Sequence, residues 1–557
     1  MFVRIKKSKN SPRKTVQIVA SVREKDTVKQ KTIRYIGVAM DDKELELLLN
    51  LAETIKTKME QEATPQLFSP DELANLKQKS DSNEKITLAN KEGKNFQVDI
   101  RDLKEESRVI EGIHEVYGEL FQQLKLNEVF NSRQKRSCEI FKEMTLARIA
   151  SPKSKRETTR LLERSFGQRI DVNAVYRMMD NMDESTIERL KDRVYKETSS
   201  LFGNKLDVVF FDATTLYYES FKEDDFRKNG YSKDMKFNQP QVLMALMVTQ
   251  EGLPVGYEVF PGNEYEGHTL IPCLNKLKEK YGINRVVFVA DSGMYNQKNI
   301  EALVENGYEY IVGGRIKGQT KEIKNQILDT NRYVTINSHE SIKEIKLEKE
   351  RLIVDFSVKR AKKNRADRLK AINKLRKKLK NKKKIGTKDL LNNYGYKKYL
   401  KEEQSGSLVL DEEKIREDEP WDGLMGVKTN SEYLSPRDVI RQYQQLWIVE
   451  EAFRINKHTL EIRPIFHFKK ERIKAHIAIC FAAFSLMAHL RYRVKIQQVA
   501  LSMNEINEEL KSIQASILYN KKNRFRYYMP SAVSQNALRV YKALNLNRFK
   551  TPKIISV

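Results

Sequence analysis

The sequence predicts an α/β protein. It reads as a mixed sheet built from two separated stretches, with a basic insertion between them and β and helical modules ahead of it. Three observations predict this. Strand-like apolar runs cluster between Leu206 and Arg315, helical periodicity fills Glu106 to Ser200, and a strand-plus-helix pattern resumes near Trp421.

From the N-terminus, residues 1–40 alternate ("TVQIVASVRE", "KQKTIRYIGVA") and read as a small β unit. Glu44–Lys58 has amphipathic helical spacing, so 1–58 is a β unit plus helix, and 59–105 is a polar linker. Residues 106–200 are helical throughout, with Ser151-Pro152 and Asp183-Glu184 as breaks and caps. A basic all-helical segment ahead of a sheet suits a DNA-binding domain, and a plain packing domain fits the same pattern.

The core begins with "LDVVFFDATTLYYES", in which the strand from Leu206 is expected to end on Asp212. A hairpin follows, Val242–Thr249 and Leu253–Phe260 around Gln250-Glu251-Gly252. Next come the helix "TLIPCLNKLKEKYG", the strand "RVVFVADSGM", the helix "NQKNIEALVENG" and the strand "YEYIVGGR". The order β-β-β-α-β-α-β is that of a ribonuclease-H-like core, with 201–320 as its first part. Asp291 ends its strand as Asp212 ends its own. Parallel pairing of the two strands would bring both carboxylates to one sheet edge, where open α/β sheets bind ligands.

Residues 321–420 read as an insertion domain before the last helix of the core. Between positions 359 and 384 there are 15 Lys/Arg and a single Asp, with Leu369, Ile372, Leu375 and Leu379 at helical steps. Residues 421–495 complete the core, and 496–557 read as a C-terminal helical region.

Composition narrows the partners. Lys and Arg number 103 against 76 Asp and Glu, a net charge of +27, and an excess of this size favours a polyanion, nucleic acid first. No uninterrupted apolar run nears 18 residues, which excludes a membrane span; "HIAICFAAFSLMAHL" is too short and reads as a buried helix. Cys138, Cys273 and Cys480 lie far apart, and no secretory signal opens the chain, so a cytoplasmic protein is expected.

The densest chemistry lies in "SPRDVIRQYQQLWIVEEAFRINKHTLEIRPIFH". Ser435-Pro436 with Asp438 starts a helix on which Tyr443, Trp447, Glu450, Arg454 and Lys457 recur at steps of 4, 3, 4 and 3. At about 100° per residue these five span an arc of roughly 80°, beside an apolar stripe of Leu446, Val449 and Phe453. Glu451 is the competing acid, on the other side of the arc. Three converging carboxylates, Asp212, Asp291 and Glu450, suit phosphodiester chemistry. Two Mg²⁺ ions about 4 Å apart relieve charge on the attacking and leaving oxygens, and carboxylates are their preferred ligands. Arg454, Lys457 and His458 are placed to touch phosphates, while Tyr443 and Trp447 could hold a sugar-phosphate or stack an unpaired base. His467 and His476 read as structural.

These residues resemble the DDE transposases of bacterial insertion sequences, in the branch with a Y-x2-R-x3-E-x6-K signature. Tyr443, Glu450 and Lys457 match in register, and Leu446 stands where the family has arginine; Arg441 and Arg454 are candidate substitutes. The family's first two aspartates map onto Asp212 and onto Asp291 in "ADSGM". "PGNEYEGHTL", "DGLMGVKTN" and "RPIFHFKKERIKAHIAI" are similar to stretches of such elements. The resemblance implies Asp212, Asp291 and Glu450 as catalytic metal ligands for two Mg²⁺ ions, with Mn²⁺ able to substitute. It implies double-stranded DNA as partner, both element ends and target, and a homodimer in the synaptic complex. Hydrolysis at each inverted-repeat end would free a 3′-hydroxyl that is then joined to target DNA. Two other readings fit the same residues: a decayed or domesticated DNA-binding protein, and a ribonuclease-H-like nuclease without strand transfer.

Overall fold

A computed structural model of the chain describes residues 2–7, 14–24, 27–39, positions 45, 48, 49, 52, 53 and 56, and residues 98–203, 206, 208–231, 236, 238–265, 268–281, 287–290, 297–380, 398–402 and 408–555. It divides into two compact units, Met1–Val98 and Asp99–Val557. In the first, β1 (Phe2–Lys7), β2 (Lys14–Glu24) and β3 (Thr27–Ala39) form an antiparallel sheet, as the alternation predicts, with Val16 and Ile18 buried. The six described positions between 45 and 56 are helical; the rest of the expected Glu44–Lys58 helix, and 59–97, lie outside the described residues.

The second unit opens with a strand the sequence reading missed, β4 (Leu103–Ile110). Helices α1 (Gly112–Gln123), α2 (Lys135–Ala150), α3 (Lys155–Phe166), α4 (Val172–Asp180) and α5 (Glu184–Ser200) follow. Ser154, Asp171 and Asp183 each accept a backbone N–H from the first turn of the helix they precede, satisfying donors that the helix leaves unpaired.

The central sheet begins with β5 (Val208–Tyr217), β6 (Gln241–Val248) and β7 (Pro254–Pro261). Helix α6 (Leu270–Tyr281) leads to β8 (Val287–Ala290), and α7 (Gln297–Glu305) to β9 (Glu309–Gly314). After α8 (Lys321–Leu328) come β10 (Val334–Asn337), β11 (Glu340–Lys346), β12 (Arg351–Ser357), α9 (Val358–Lys380), β13 (Leu400–Glu402), β14 (Leu408–Leu410), α10 (Glu412–Asp418) and β15 (Leu424–Thr429). Among the described residues the sheet has nine strands in the order β10-β11-β12-β15-β9-β8-β5-β6-β7. Within it β7-β6-β5 pair antiparallel and β5-β8-β9 pair parallel. That is the ribonuclease-H-like order, with each parallel crossover made through a helix.

The insertion does not stand apart from this sheet. β15 pairs with β9, as expected of the "DGLMGVKTN" stretch, and β12, β11 and β10 extend the ladder beyond it. The basic segment is helical as far as Lys380, as expected, with 381–384 outside the described residues, and it buries Ile372 and Leu375 against Tyr399, Leu400 and Leu408. Leu369, placed on the same stripe by its spacing, is exposed instead.

Two strand and helix limits differ from expectation. β5 does not stop at Asp212 but runs five residues further, because antiparallel β6 carries the ladder on to Tyr217 after the described parallel pairs with β8 end at Phe210. Thr214 and Thr215 are therefore buried strand residues rather than turn caps. The long helix is three pieces: α11 (Pro436–Gln444), α12 (Trp447–Arg454) and a π-helical turn over Ile455–Thr459.

Helix α13 (Lys470–Ile496) is longer than expected and apolar enough by length and composition to cross a membrane, yet 94% of its most apolar window is buried inside the protein. It is a core helix, packed on α2, α4 and β7. Beyond it lie α14 (Met503–Ser512), β16 (Gln514–Asn520), β17 (Arg526–Pro530), α15 (Gln535–Lys542) and β18 (Lys553–Ile555). The C-terminal region is thus only partly helical, since β18-β17-β16 complete a four-stranded sheet with β4. That pairing spans about 400 positions, so no local pattern announces it. One hydrophobic core joins α1–α5, α12, α13 and one face of β5–β7.

Candidate active site

Strand alternation sets the direction of Asp212. Phe210, Leu216 and Tyr218 belong to the same core as Val449, Ala452 and Phe453 of α12, whereas Val209, Phe211 and Ala213 belong to the cluster on the other face. Asp212 and Thr214 are in phase with the first set, so they lie on the face covered by α12, which packs on β5 and β6. Asp212 is half-buried, and its Oδ1 accepts the N–H of Ala213 at 2.8 Å. The hydroxyls of Thr214 and Tyr218 on this face are buried without a hydrogen-bond partner among the described residues.

The neighbouring acids on α12 part company. Glu450 is exposed and has no ion pair among the described residues. Glu451 is 20% exposed and pairs with Arg491 of α13 at 3.1 Å and with Arg454 at 3.7 Å. The structure therefore ties Glu451 into the helix packing and leaves Glu450 available. Asp291 lies outside the described residues. Among the described residues no group of three or more His, Cys, Asp or Glu side chains is close enough to hold a metal.

The five-residue stripe is not a straight one. From Gln442 to Val449 the hydrogen bonds tighten to three-residue steps (Gln445 N to Gln442 O, Leu446 N to Tyr443 O, Ile448 N to Gln445 O, Val449 N to Leu446 O), which overwinds the chain between Tyr443 and Trp447. The π turn then underwinds it at Lys457 and His458. Tyr443 and Trp447 thus depart from the common arc. Trp447, half-exposed, lines a cavity of about 240 Å³ with Glu451, Ile448, Gln250 and Arg491, on the Glu451 side of the helix. Arg454 and His458 are exposed and Lys457 is half-buried. Leu446 is 8% exposed and part of the core, so the position that carries arginine in the resembling signature is here a packing position. Of the proposed substitutes, Arg441 pairs with Asp438 and Arg454 with Glu451, and both arginines are exposed.

Beyond the π turn the chain returns to β5, where Ile465 N donates to Tyr217 O at 3.1 Å. This brings Arg463 over the ring of Tyr217 at 5.4 Å, and Lys236 lies 5.4 Å from the same ring. Sequence reasoning missed this aromatic–cation group five residues past Asp212, because Arg463 lies more than 200 positions from the other two. His476 is structural as expected, its Nε2 bonded to Ile462 O at 2.9 Å.

The comparisons with known proteins agree with this architecture. The model of the transposase DDE domain matches residues 203–486, just over half of the chain, and that of the IS1634 family transposase N-terminal domain matches residues 3–66. The chain belongs to the DDE transposases of insertion sequences. No curated protein matches the sequence. Among solved structures, the transposase resembles a piggyBac transposase synaptic complex with hairpin DNA, at 8% identity over 72% of this chain and 78% of the other, with a TM-score of 0.36. It also resembles a Mos1 transposase paired-end complex with the left transposon end, at 16% identity over 32% and 60%, with a TM-score of 0.14. At these scores neither adds weight, and the ribonuclease-H-like assignment for this transposase rests on strand order and the family match.

Proposed function

We propose that this transposase is a Mg²⁺-dependent enzyme. It would bind the inverted-repeat ends of its own element as a homodimer, hydrolyse a strand at each end to free a 3′-hydroxyl, and join that hydroxyl to target DNA. The observation that supports the reading best is the seating of α12 over the Asp212 face of β5, with Glu450 exposed and without an ion pair among the described residues while Arg491 engages Glu451. Asp291 is the third proposed ligand. The β5–β8 pairs run at a constant offset of 79, and 79 positions also separate Asp212 from Asp291.

The donor set fits a hard divalent cation. Carboxylate oxygens are the ligands Mg²⁺ and Mn²⁺ favour, and the Thr214 hydroxyl, which has no hydrogen-bond partner among the described residues, adds an oxygen on the same face. A bound pair of such ions supplies charge relief on the attacking and leaving oxygens. The chain itself positions the DNA: Lys457, Arg454 and His458 follow Glu450 along the helix and contact phosphates, Tyr443 contributes a polar ring, and Trp447 stacks a base from the side of its own cavity. Leu446 supplies packing, so its phosphate contact comes from elsewhere.

The test is a pre-cut element end, its sequence taken from the inverted repeats flanking the gene, incubated with supercoiled plasmid and Mg²⁺. Integration products should form with the wild type and vanish in Asp212→Ala, Asp291→Ala and Glu450→Ala proteins that still bind DNA. Wild-type protein that binds the end without cutting or joining it would sink the proposal.

A further inference from the structure

Beside the candidate active site lies a second feature that the catalytic reading leaves unused. A cavity of about 310 Å³ is lined by Arg148, Lys153, Lys155, Arg156 and Arg463, against Glu461 as the one carboxylate among its described lining residues. Two of these cations are inside the protein: Lys155 is 4% exposed and Arg148 6%. Buried charges are ordinarily paired, because leaving water costs several kcal/mol per ion. Here neither has a carboxylate partner among the described residues. Arg148 Nη1 donates to the Leu460 carbonyl at 3.4 Å, and Lys155 Nζ lies 3.0 Å from His476 Nδ1.

The histidine fixes the direction of that bond. His476 Nε2 faces the Ile462 carbonyl, which can only accept, so Nε2 carries the ring proton and Nδ1 accepts from Lys155. One of the three ammonium donors is thereby used, and the others remain for the cavity. Lys155 also begins α3, a 12-residue helix capped by Ser154, so the partial positive charge of its N-terminus adds to the same space. The wall formed by Arg463 leads to Tyr217 and from there along β5 to Asp212.

We infer that this cavity is a phosphate-binding site that grips one backbone phosphate of the DNA next to the candidate active site, through Lys155 and Arg148. The inference takes its DNA from the proposed transposase reading. Protonation agrees with it: burial, with Arg148 adding like charge, pushes Lys155 down to about 7, and an entering phosphate would recharge it. Among the described residues, the titratable groups around Lys155 from the elements packed against it are Arg148 from α2, Tyr176 from α4, His476 and Cys480 from α13, and Glu461, Arg463 and His467 from the loop ahead of α13. Burial pushes His467 down to about 3 and His476 well below its usual range, so neither histidine competes for the proton near neutrality.

The experiment uses the full chain with inorganic phosphate and with a duplex oligonucleotide, by calorimetry at pH 8 in buffers of different ionisation enthalpy. Wild type and Asp212→Ala should bind phosphate with proton uptake. Lys155→Met should weaken phosphate binding at least about tenfold, abolish the uptake, and reduce the salt slope of duplex binding by about 1. Should Lys155→Met fail to fold, the exposed rim pair Lys153→Gln and Arg156→Gln takes its place, with weaker phosphate binding again expected. Unchanged phosphate binding in a folded variant would overturn the site. Phosphate lost but an unchanged duplex slope would assign the cavity to free phosphate and overturn the DNA contact. Phosphate binding that depends on Lys155 in a protein that never cuts DNA would leave the site standing while the transposase reading fell.

Discussion

The acidic face shared by β5 and α12 and the basic cavity beside it are mirror images in charge. At the first, Glu450 stands exposed with no cation paired to it among the described residues. At the second, Lys155 and Arg148 are buried with no carboxylate paired to them among the described residues. Elsewhere the chain pairs such groups. Glu451 meets Arg491, and the nearly buried Arg548 meets Glu111 at 2.5 Å and Glu115 at 3.0 Å. The paired charges hold helices and strands together and ask for nothing more. The unpaired ones are of opposite sign, joined by Arg463 and Tyr217, and a phosphodiester with its divalent cations would complete both.

The strongest way to break this contrast is to exchange the roles of adjacent acids. Glu450→Gln should reduce strand cleavage at least about 10²-fold, the loss of several kcal/mol of charge stabilisation, while leaving thermal unfolding unchanged. Glu451→Gln should do the reverse, keeping cleavage within about threefold and costing about 1 kcal/mol of stability as Arg491 loses its partner. Cleavage assays and melting curves on the two proteins decide it, and equal loss of cleavage in both would erase the distinction.

Helix α9 offers the same contrast on one element. Its inner cations are paired, Arg360 with Asp355 at 2.7 Å and Arg368 with Asp422 at 2.5 Å, while Lys362, Lys363, Arg365 and Lys370 are exposed on the outside. Replacing those four with alanine should lower the salt slope of duplex binding by up to about 3. A filter-binding series across salt concentrations reads this directly, and an unchanged slope would return α9 to ordinary solvated surface.

Stability against pH separates the cavity from a structural ion pair. Lys155 is pushed down to about 7 in the folded chain, against about 10.4 when unfolded, so between these values the unfolded chain binds more protons. Stability therefore rises with pH from about 7 to 10.4 through this group, and the gain is lost as pH falls toward 7. Lys155→Met should remove that rise and be the more stable protein at pH 7, by denaturant titration. A less stable variant there would make Lys155 a structural cation.

How far these features show in the sequence follows from how local their causes are. The strand order was legible because apolar runs, the Gln250–Gly252 turn and the α6 and α7 spacings are each set within about a dozen residues. β4 was not, since a strand of five charged or polar residues among eight finds its partner only when β16 arrives. The register of Glu450 was legible, but the bend of its helix was not: the overwinding at Leu446 and the π turn at Lys457 lie where α12 packs on β5 and β6 and the turn packs on α13, contacts made by distant segments. Lys155 reads in sequence as one more surface lysine in "KSKRETTR", and only its burial against α13 gives it a function.

The smallest effect bears on the one departure from the family signature. If the contact missing at Leu446 is made by the basic cavity, restoring arginine there gains nothing. Leu446 is in the core with Val449 and Phe453, so Leu446→Arg must bury a guanidinium or push it out past its neighbours, at about 1–3 kcal/mol. The protein should melt lower and bind duplex DNA within about twofold of wild type, because a side chain leaving the core finds the phosphate site already furnished by Lys155 and Arg148. Combining it with Lys155→Met sharpens the point. If the cavity is the substitute, the added arginine should recover part of the lost salt slope, whereas two independent losses would show that the phosphate once held by position 446 has no replacement in this chain.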